Sequence, residues 1–209
     1  MSATRQTIVT TRHSLPTRLV HAGMALAVVT ALFASLGMEH PKPGFAGNFL
    51  FEIHEFGGLA AFSLIVLFWL VLTVRKRGTP AGLLFPWASA RRRAAVWTDL
   101  KAHLAALCKL RLPAHDDDSP LASAVHGLGI LLITAMSGTG TIFYFFGGGN
   151  PDAPGLISLD MGLHQALANL AWVYLIGHVS LAVLQHLFTD FNLRSMWSLR
   201  SAQQKETLK

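Results

Sequence analysis

The sequence predicts an all-α protein: a four-helix transmembrane bundle with both termini cytoplasmic. Three observations predict it. The chain is 52% hydrophobic and 13% charged, where a soluble domain carries about 25% charged residues, and its mean hydropathy is +0.43. Four apolar runs each exceed the roughly 20 residues a helix needs to cross about 30 Å of hydrocarbon. Lysines and arginines crowd into alternate connections between those runs. Lipid offers no hydrogen bonds to a backbone, so each run must satisfy its own N–H and C=O groups as a helix. The polar surface that two or three soluble domains would need is missing, and residues 1–209 read as a single membrane domain.

The N-terminal segment is polar and carries Arg5, Arg12 and Arg18. The apolar run behind it is too long for a signal-peptide core and has no small-residue cleavage motif after it. It is read as the first span, about 18–38, announced by Ser14-Leu15-Pro16, a cap followed by a first-turn proline. The second span covers about 49–74, the third about 121–146 and the fourth about 161–188. Gly147-Gly148-Gly149-Asn150-Pro151 ends the third. In the long middle connection, residues 89–110, Trp97, Leu100, Leu104 and Leu107 recur at helical spacing among basic residues. This predicts an amphipathic helix on the membrane surface; a plain basic loop that anchors topology is the other reading. Asp116-Asp117-Asp118 reads as a solvated turn before the third span, with a metal site as the rival.

The net charge is +6, but the basic residues sit in loops, which points to membrane topology rather than nucleic acid. The N-terminal segment has three, the middle loop nine (Arg75, Lys76, Arg77, Arg91, Arg92, Arg93, Lys101, Lys109, Arg111) and the tail four (Arg194, Arg200, Lys205, Lys209). The other two connections hold only Lys42. Sixteen against one predicts that the termini and middle loop are cytoplasmic; in a Gram-negative bacterium the membrane would be the inner one and the two short loops periplasmic. The single cysteine, Cys108, excludes an intrachain disulfide, a CxxC metal site and CxxCH haem attachment.

Of ten histidines, His21, His54, His126, His164 and His178 lie within or at the edges of the spans, and His186 ends the fourth. Ionisable residues inside membrane helices are costly and usually functional. Counted from the periplasmic ends, His21 and His178 each lie 17 residues in, while His54 and His164 lie five and three residues in. At 1.5 Å per residue these are depths of about 25 Å and about 5–8 Å. Two pairs at matched depth result, each shared by two helices. His164 and His178 are 14 residues apart, nearly four turns, so they share a face about 21 Å apart. Gly57, Gly58, Gly177 and Ala168 stand beside these histidines. They leave room for a ring, or merely permit close helix packing.

Zinc favours four clustered ligands. Imidazoles paired two by two suit six-coordinate haem iron, which moves electrons and has no open position. The reading is therefore two haem b groups held by coordination alone, with packing or proton transfer as the alternative for the histidines.

His164-Gln165-Ala166-Leu167-Ala168, running to Leu175-Ile176-Gly177-His178, resembles the last helix of the prokaryotic cytochrome b561 family. That superfamily includes the b-type cytochrome subunits of nickel-iron hydrogenases and respiratory formate dehydrogenases. Arg18-Leu19-Val20-His21 and Ile53-His54-Glu55-Phe56-Gly57-Gly58 are similar to it too. The resemblance covers nearly the whole chain. It implies axial ligand pairs His54 with His164 and His21 with His178, and electron exchange with a membrane quinone. The middle loop is much longer than in small stand-alone members that react with quinone and superoxide. With Phe85-Pro86-Trp87, it looks more like the enzyme-associated subunits, which implies a periplasmic or membrane-associated redox subunit, or a c-type cytochrome, as partner.

His126 and His186, both at the cytoplasmic side, either cap helices and face headgroups or serve a quinone and its protons. Glu52, Glu55, Asp160 and His40 have the same two readings at the outer surface. Arg18, Arg75 and Arg77 either neutralise haem propionates or only anchor topology. The function expected is transmembrane electron transfer between the quinone pool and a redox partner, with lipid around the chain and no nucleic acid. Rivals are a stand-alone superoxide:quinone oxidoreductase, a histidine-lined metal-ion or proton transporter, and a purely structural anchor.

Overall fold

The computed structural model describes residues 13–42, 44–113, 116–147, 154–189 and 191–197. Arg5, Arg12, Gly148, Gly149, Asn150, Pro151, Arg200, Lys205 and Lys209 lie outside them. Four helices are long and apolar enough to cross a membrane: α1 (Leu15–Ala34), α2 (Phe49–Val74), α5 (Pro120–Phe146) and α6 (Leu156–Phe188). The short α3 (Ala81–Leu84), a 3-10 turn (Pro86–Ala88) and α4 (Ala90–Leu107) fill the middle connection, and α7 (Arg194–Trp197) follows α6. No strand occurs among the described residues.

Capping chemistry fixes where the helices start. Ser14 Oγ accepts from Thr17 N–H at 3.4 Å ahead of Pro16, as the sequence predicts for α1. Asn48 Oδ1 accepts from Phe51 N–H at 3.0 Å and from Glu39 N–H at 3.1 Å, while its Nδ2 donates to the Gly37 carbonyl at 2.9 Å. One side chain thus starts α2 and closes the turn from α1. Ser119 Oγ accepts from Ala122 N–H at 3.1 Å to start α5.

The second and third spans fall where hydropathy puts them, but the first and fourth do not. α1 stops at Ala34, four residues before Met38, and α6 starts at Leu156, five before Met161. Hydropathy marks where a chain is apolar, while caps and turns decide where a helix ends. The 33 residues of α6 run about 50 Å and outreach the hydrocarbon layer. The depth count from helix ends therefore shifts: His164 lies eight residues into α6, not three into the span, and His21 lies 13 from the end of α1, not 17.

α1 packs on α2, α2 on α5, and α5 on α6. Val20, Ile65, Phe68, Val71, Leu84, Ile130 and Ile133 form the buried core between α1, α2, α3 and α5, with Ile65 fully enclosed. Trp69 Nε1–H donates to Thr134 Oγ1 at 2.9 Å, a polar tie between α2 and α5 of the kind lipid-embedded helices use. Of α6, only Ala171 is buried. Large apolar side chains are exposed on every span, Leu26, Val74, Phe146 and Val173 among them, as a lipid solvent permits.

α4 is a helix, as the spacing of its apolar residues predicts. Its Asp99 clasps the start of α5: Oδ2 accepts from Ser119 Oγ at 2.7 Å and from Leu121 N–H at 3.0 Å. His103 Nδ1 stands 3.0 Å from Oδ1. Burial alone would raise the Asp99 carboxyl, but the Ser119 and Leu121 hydrogen bonds and His103 outweigh it and hold it below its ordinary value. A depressed folded value means the clasp is fully present above the ordinary carboxylate range and lost as pH falls through the lowered value. Asp99→Asn is expected to cost about 1 kcal/mol, the size of a lost helix cap. Hydrogen exchange across α4 should quicken in that variant, and the acid-dependent loosening seen in the parent should vanish. Equal exchange in both chains would remove the clasp from the account.

Candidate functional site

Side chains from three helices bring the histidines together in pairs. His54 of α2 faces His164 of α6, ring centroids 6.1 Å apart and planes at 89°. His21 of α1 faces His178 of α6, centroids 6.5 Å apart and planes at 57°. These are the pairings the depth arithmetic expects, although the helix ends used for it are displaced. The 14-residue step along α6 separates the two pairs by about 21 Å.

Consider two imidazoles bonded to one metal from opposite sides at roughly 2.0 Å, each ring centre about 1.1 Å behind its bonded nitrogen; their centroids stand about 6.2 Å apart. The observed 6.1 and 6.5 Å fit that spacing. Rings in simple packing contact need not sit at it. Among the described residues no three of His, Cys, Asp and Glu converge as a metal cluster.

The hydrogen bonds of the first pair engage Nδ1 of each ring. His54 Nδ1–H donates to the Ala31 carbonyl at 2.9 Å. His164 Nδ1 lies 3.0 Å from Thr139 Oγ1. That hydroxyl is itself 2.9 Å from the Met136 carbonyl and 3.0 Å from the Ala135 carbonyl. Its single proton is committed to those carbonyls, so it accepts from His164 Nδ1–H. Both rings are thus held in orientation through Nδ1, as metal-binding imidazoles are. A cavity between α1, α2, α5 and α6 opens at this pair, lined by Gly58, Met136, Gly140 and Phe143 as well as the two histidines.

The second pair is more crowded. His126 of α5 lies 5.3 Å from His178, centroid to centroid, and Tyr174, one turn before His178, stacks on it at 5.5 Å and 10°. Trp197 of α7 meets His21 edge-on at 5.9 Å. His21 Nδ1 is buried with no hydrogen-bond partner among the described residues, a polar atom whose ring lacks the orientation that Ala31 and Thr139 give the first pair. Arg18, three residues earlier on the same face, is almost wholly buried.

The other sequence candidates divide. His126 joins the second pair. His186 does not: its exposed Nδ1–H donates to the Phe191 carbonyl at 3.0 Å and turns the chain after α6. His40 packs edge-on against Phe51 and lines the cavity at the first pair, as does Glu55. Asp116 Oδ1 accepts from Asp118 N–H at 2.9 Å, and the three aspartates form an exposed turn. A methyl group on Gly58 or Gly177 would meet nothing within 4 Å, so both face open space. Gly57 instead packs on Ala31, where a methyl would stand 3.4 Å from its Cβ, and serves helix contact rather than ring space.

Four positions at this site are not among the sequence candidates. Thr139, Gly140, Tyr174 and Trp197 reach the histidines through helix rotation, which spacing alone does not report. Gly140 lets His164 come close: a methyl there would stand 3.0 Å from the ring. Only Tyr174 had a local cue, its one-turn offset from His178.

A family model described as prokaryotic cytochrome b561 matches residues 12–199, all four spans and both histidine pairs included. No curated protein and no solved structure matches the chain. With four spans and histidines paired between them, the chain belongs to the prokaryotic cytochrome b561 family, multi-pass bacterial membrane proteins of b-type haem electron transfer.

Proposed function

We propose that the chain holds two b-type haems, one between His54 and His164 and one between His21 and His178, and carries electrons across the membrane between the quinone pool and a redox partner. The observation that carries this reading is the pair of centroid separations, 6.1 and 6.5 Å, on facing helices. Haem iron supplies one-electron chemistry when bound, at a potential that its axial ligands and their hydrogen bonds adjust.

The chain's own residues fix position and orientation. Ala31 and Thr139 aim His54 and His164. Gly58 keeps space open in the cavity at the first pair. Arg18 brings a buried positive charge to the His21 pair, suited to an acidic porphyrin substituent. Two imidazoles per iron leave no open position, which suits electron transfer rather than oxygen chemistry.

The lysine and arginine distribution supports a bacterial inner-membrane location with both termini cytoplasmic. The His21 pair then lies toward the cytoplasm and the His54 pair toward the periplasm. His126, against His178, is the better candidate for a quinone or its proton, since His186 is engaged in a local turn. The long middle connection favours work with a partner, a periplasmic or membrane-associated redox subunit or a c-type cytochrome.

The test is an optical and stoichiometric one. Protein purified from haem-replete cells should show two b-type haems per chain and, in liposomes, reduce an acceptor across the bilayer when given quinol. A colourless chain that binds a divalent ion instead would establish the transporter reading. Rapid reduction by superoxide without any partner would favour the stand-alone variant.

A further inference from the structure

α4 carries two adjacent bands on its exposed side. At about 100° per residue, Trp97 and Leu104 fall within about 20° of each other, with Leu107 next to them. All three are exposed, Trp97 by 60% and Leu104 by 52%. Arg91 lies about 120° round the helix from Trp97, with Lys101 between them, and Lys109 follows in the turn after the helix ends at Leu107. These three cations are exposed as well. Residues 90–111 hold six cations and one carboxylate, and that carboxylate, Asp99, is spent on the clasp with Ser119 and Leu121.

The clasp also sets the height of α4. Ser119 and Leu121 bracket the first residue of α5, where that span enters the apolar layer. At the other end of the segment, the Leu84 carbonyl stands within 1.8 Å of where a methyl on Gly127 would be. Gly127 is seven residues into α5, about 10 Å along its axis. Two anchors thus hold residues 81–107 at the rim of the spans. An apolar band broken only by Arg93, whose guanidinium donates to the Trp87 carbonyl, and flanked by basic residues, fixed at that height, matches the boundary between acyl chains and negatively charged headgroups.

We propose that the exposed face of α4 binds the anionic phospholipid surface of the protein's own membrane, with Trp97, Leu104 and Leu107 toward the acyl chains and Arg91, Lys101 and Lys109 on the headgroups. An acidic soluble partner is the competing occupant. It fits the cations but leaves three large apolar side chains without a match.

The chain contains its own probe. Cys108 is the only cysteine, is exposed, and follows α4 on the Trp97 side. The haem-loaded full chain, spin-labelled at Cys108, is placed in discs of phosphatidylcholine alone or mixed with phosphatidylglycerol. Collision with oxygen is compared with collision with a water-soluble nickel chelate. The oxygen-to-nickel ratio should be higher with phosphatidylglycerol by roughly twofold or more and should fall with added salt. Arg91→Gln, Lys101→Gln and Lys109→Gln together should bring the ratio in phosphatidylglycerol down to the phosphatidylcholine value with haem content unchanged. A ratio equal in the two lipids, or a water-like ratio in both, overturns the proposal. The lipid and salt comparison uses the parent chain, so it decides the matter even if the triple variant fails to assemble.

Discussion

Replacing His164 with alanine is expected to lower the haem content of the purified chain from two per chain to one. His164 faces His54 with centroids 6.1 Å apart, and on the proposed assignment either ring alone would leave the haem with a single imidazole to hold it. His54→Ala should therefore give the same loss, and the double variant no more than either single one, because the two residues act as a unit. The His21 and His178 pair, about 21 Å away along α6, should keep its haem and its spectrum. Transmembrane electron transfer in liposomes should stop in every one of these variants, since half the path is gone. Thr139→Val makes the finer test. It removes the hydroxyl that accepts from His164 Nδ1–H at 3.0 Å and keeps the ring. Haem should stay bound, with a shifted potential on one of the two groups and no change in the other. Full haem content in both His164→Ala and His54→Ala would refute the assignment of that pair.

Much of this arrangement is legible in the sequence because lipid imposes few solutions. A backbone in hydrocarbon must be helical, so four long apolar runs become four helices whatever their neighbours. The 14-residue step from His164 to His178 works for the same reason: both residues lie in one uninterrupted helix, where rotation per residue is fixed. His21 and His54 are legible less directly. Their partners follow from depth, and depth was counted from span ends that Ser35, Gly155 and the local turns displace by four or five residues. The pairing survives because His54 and His164 stay within one turn of equal depth, although for His21 and His178 the two displacements add to nine residues, about 2.5 turns. Thr139, Gly140 and Trp197 stay illegible, since which residues meet across helices depends on how each helix is rotated about its axis. In the middle connection, the α4 helix is legible from Trp97, Leu100, Leu104 and Leu107. Its attachment through Asp99 is not, because the partner lies 20 residues away across a turn.

Gly127→Ala should be the most damaging single methyl among the glycines of the described residues. A Cβ there would stand 1.8 Å from the Leu84 carbonyl oxygen and 2.7 Å from its carbon, and backbone cannot swing aside as a side-chain tip can. Leu84 is nearly fully buried in the core with Ile130 and Ile133. To admit the methyl, α3 must leave its seat on α5 and take Leu84 with it. Overpacking of a tight contact costs about 1–3 kcal/mol, and withdrawal of a buried leucine adds about 1.5–3 kcal/mol. A control lies 11 residues along the same helix. A methyl on Gly138 would meet nothing within 4 Å, so Gly138→Ala gains up to about 1 kcal/mol of helix propensity with nothing to oppose it. Thermal unfolding followed by haem release should fall by several degrees for Gly127→Ala and hold or rise for Gly138→Ala. Limited proteolysis should cut the segment 81–107 faster in the first variant only, because that segment, and not the four spans, is what the methyl dislodges. Equal midpoints for the two variants would mean that α3 does not rest on α5, and the inner anchor of the middle connection would be lost with it.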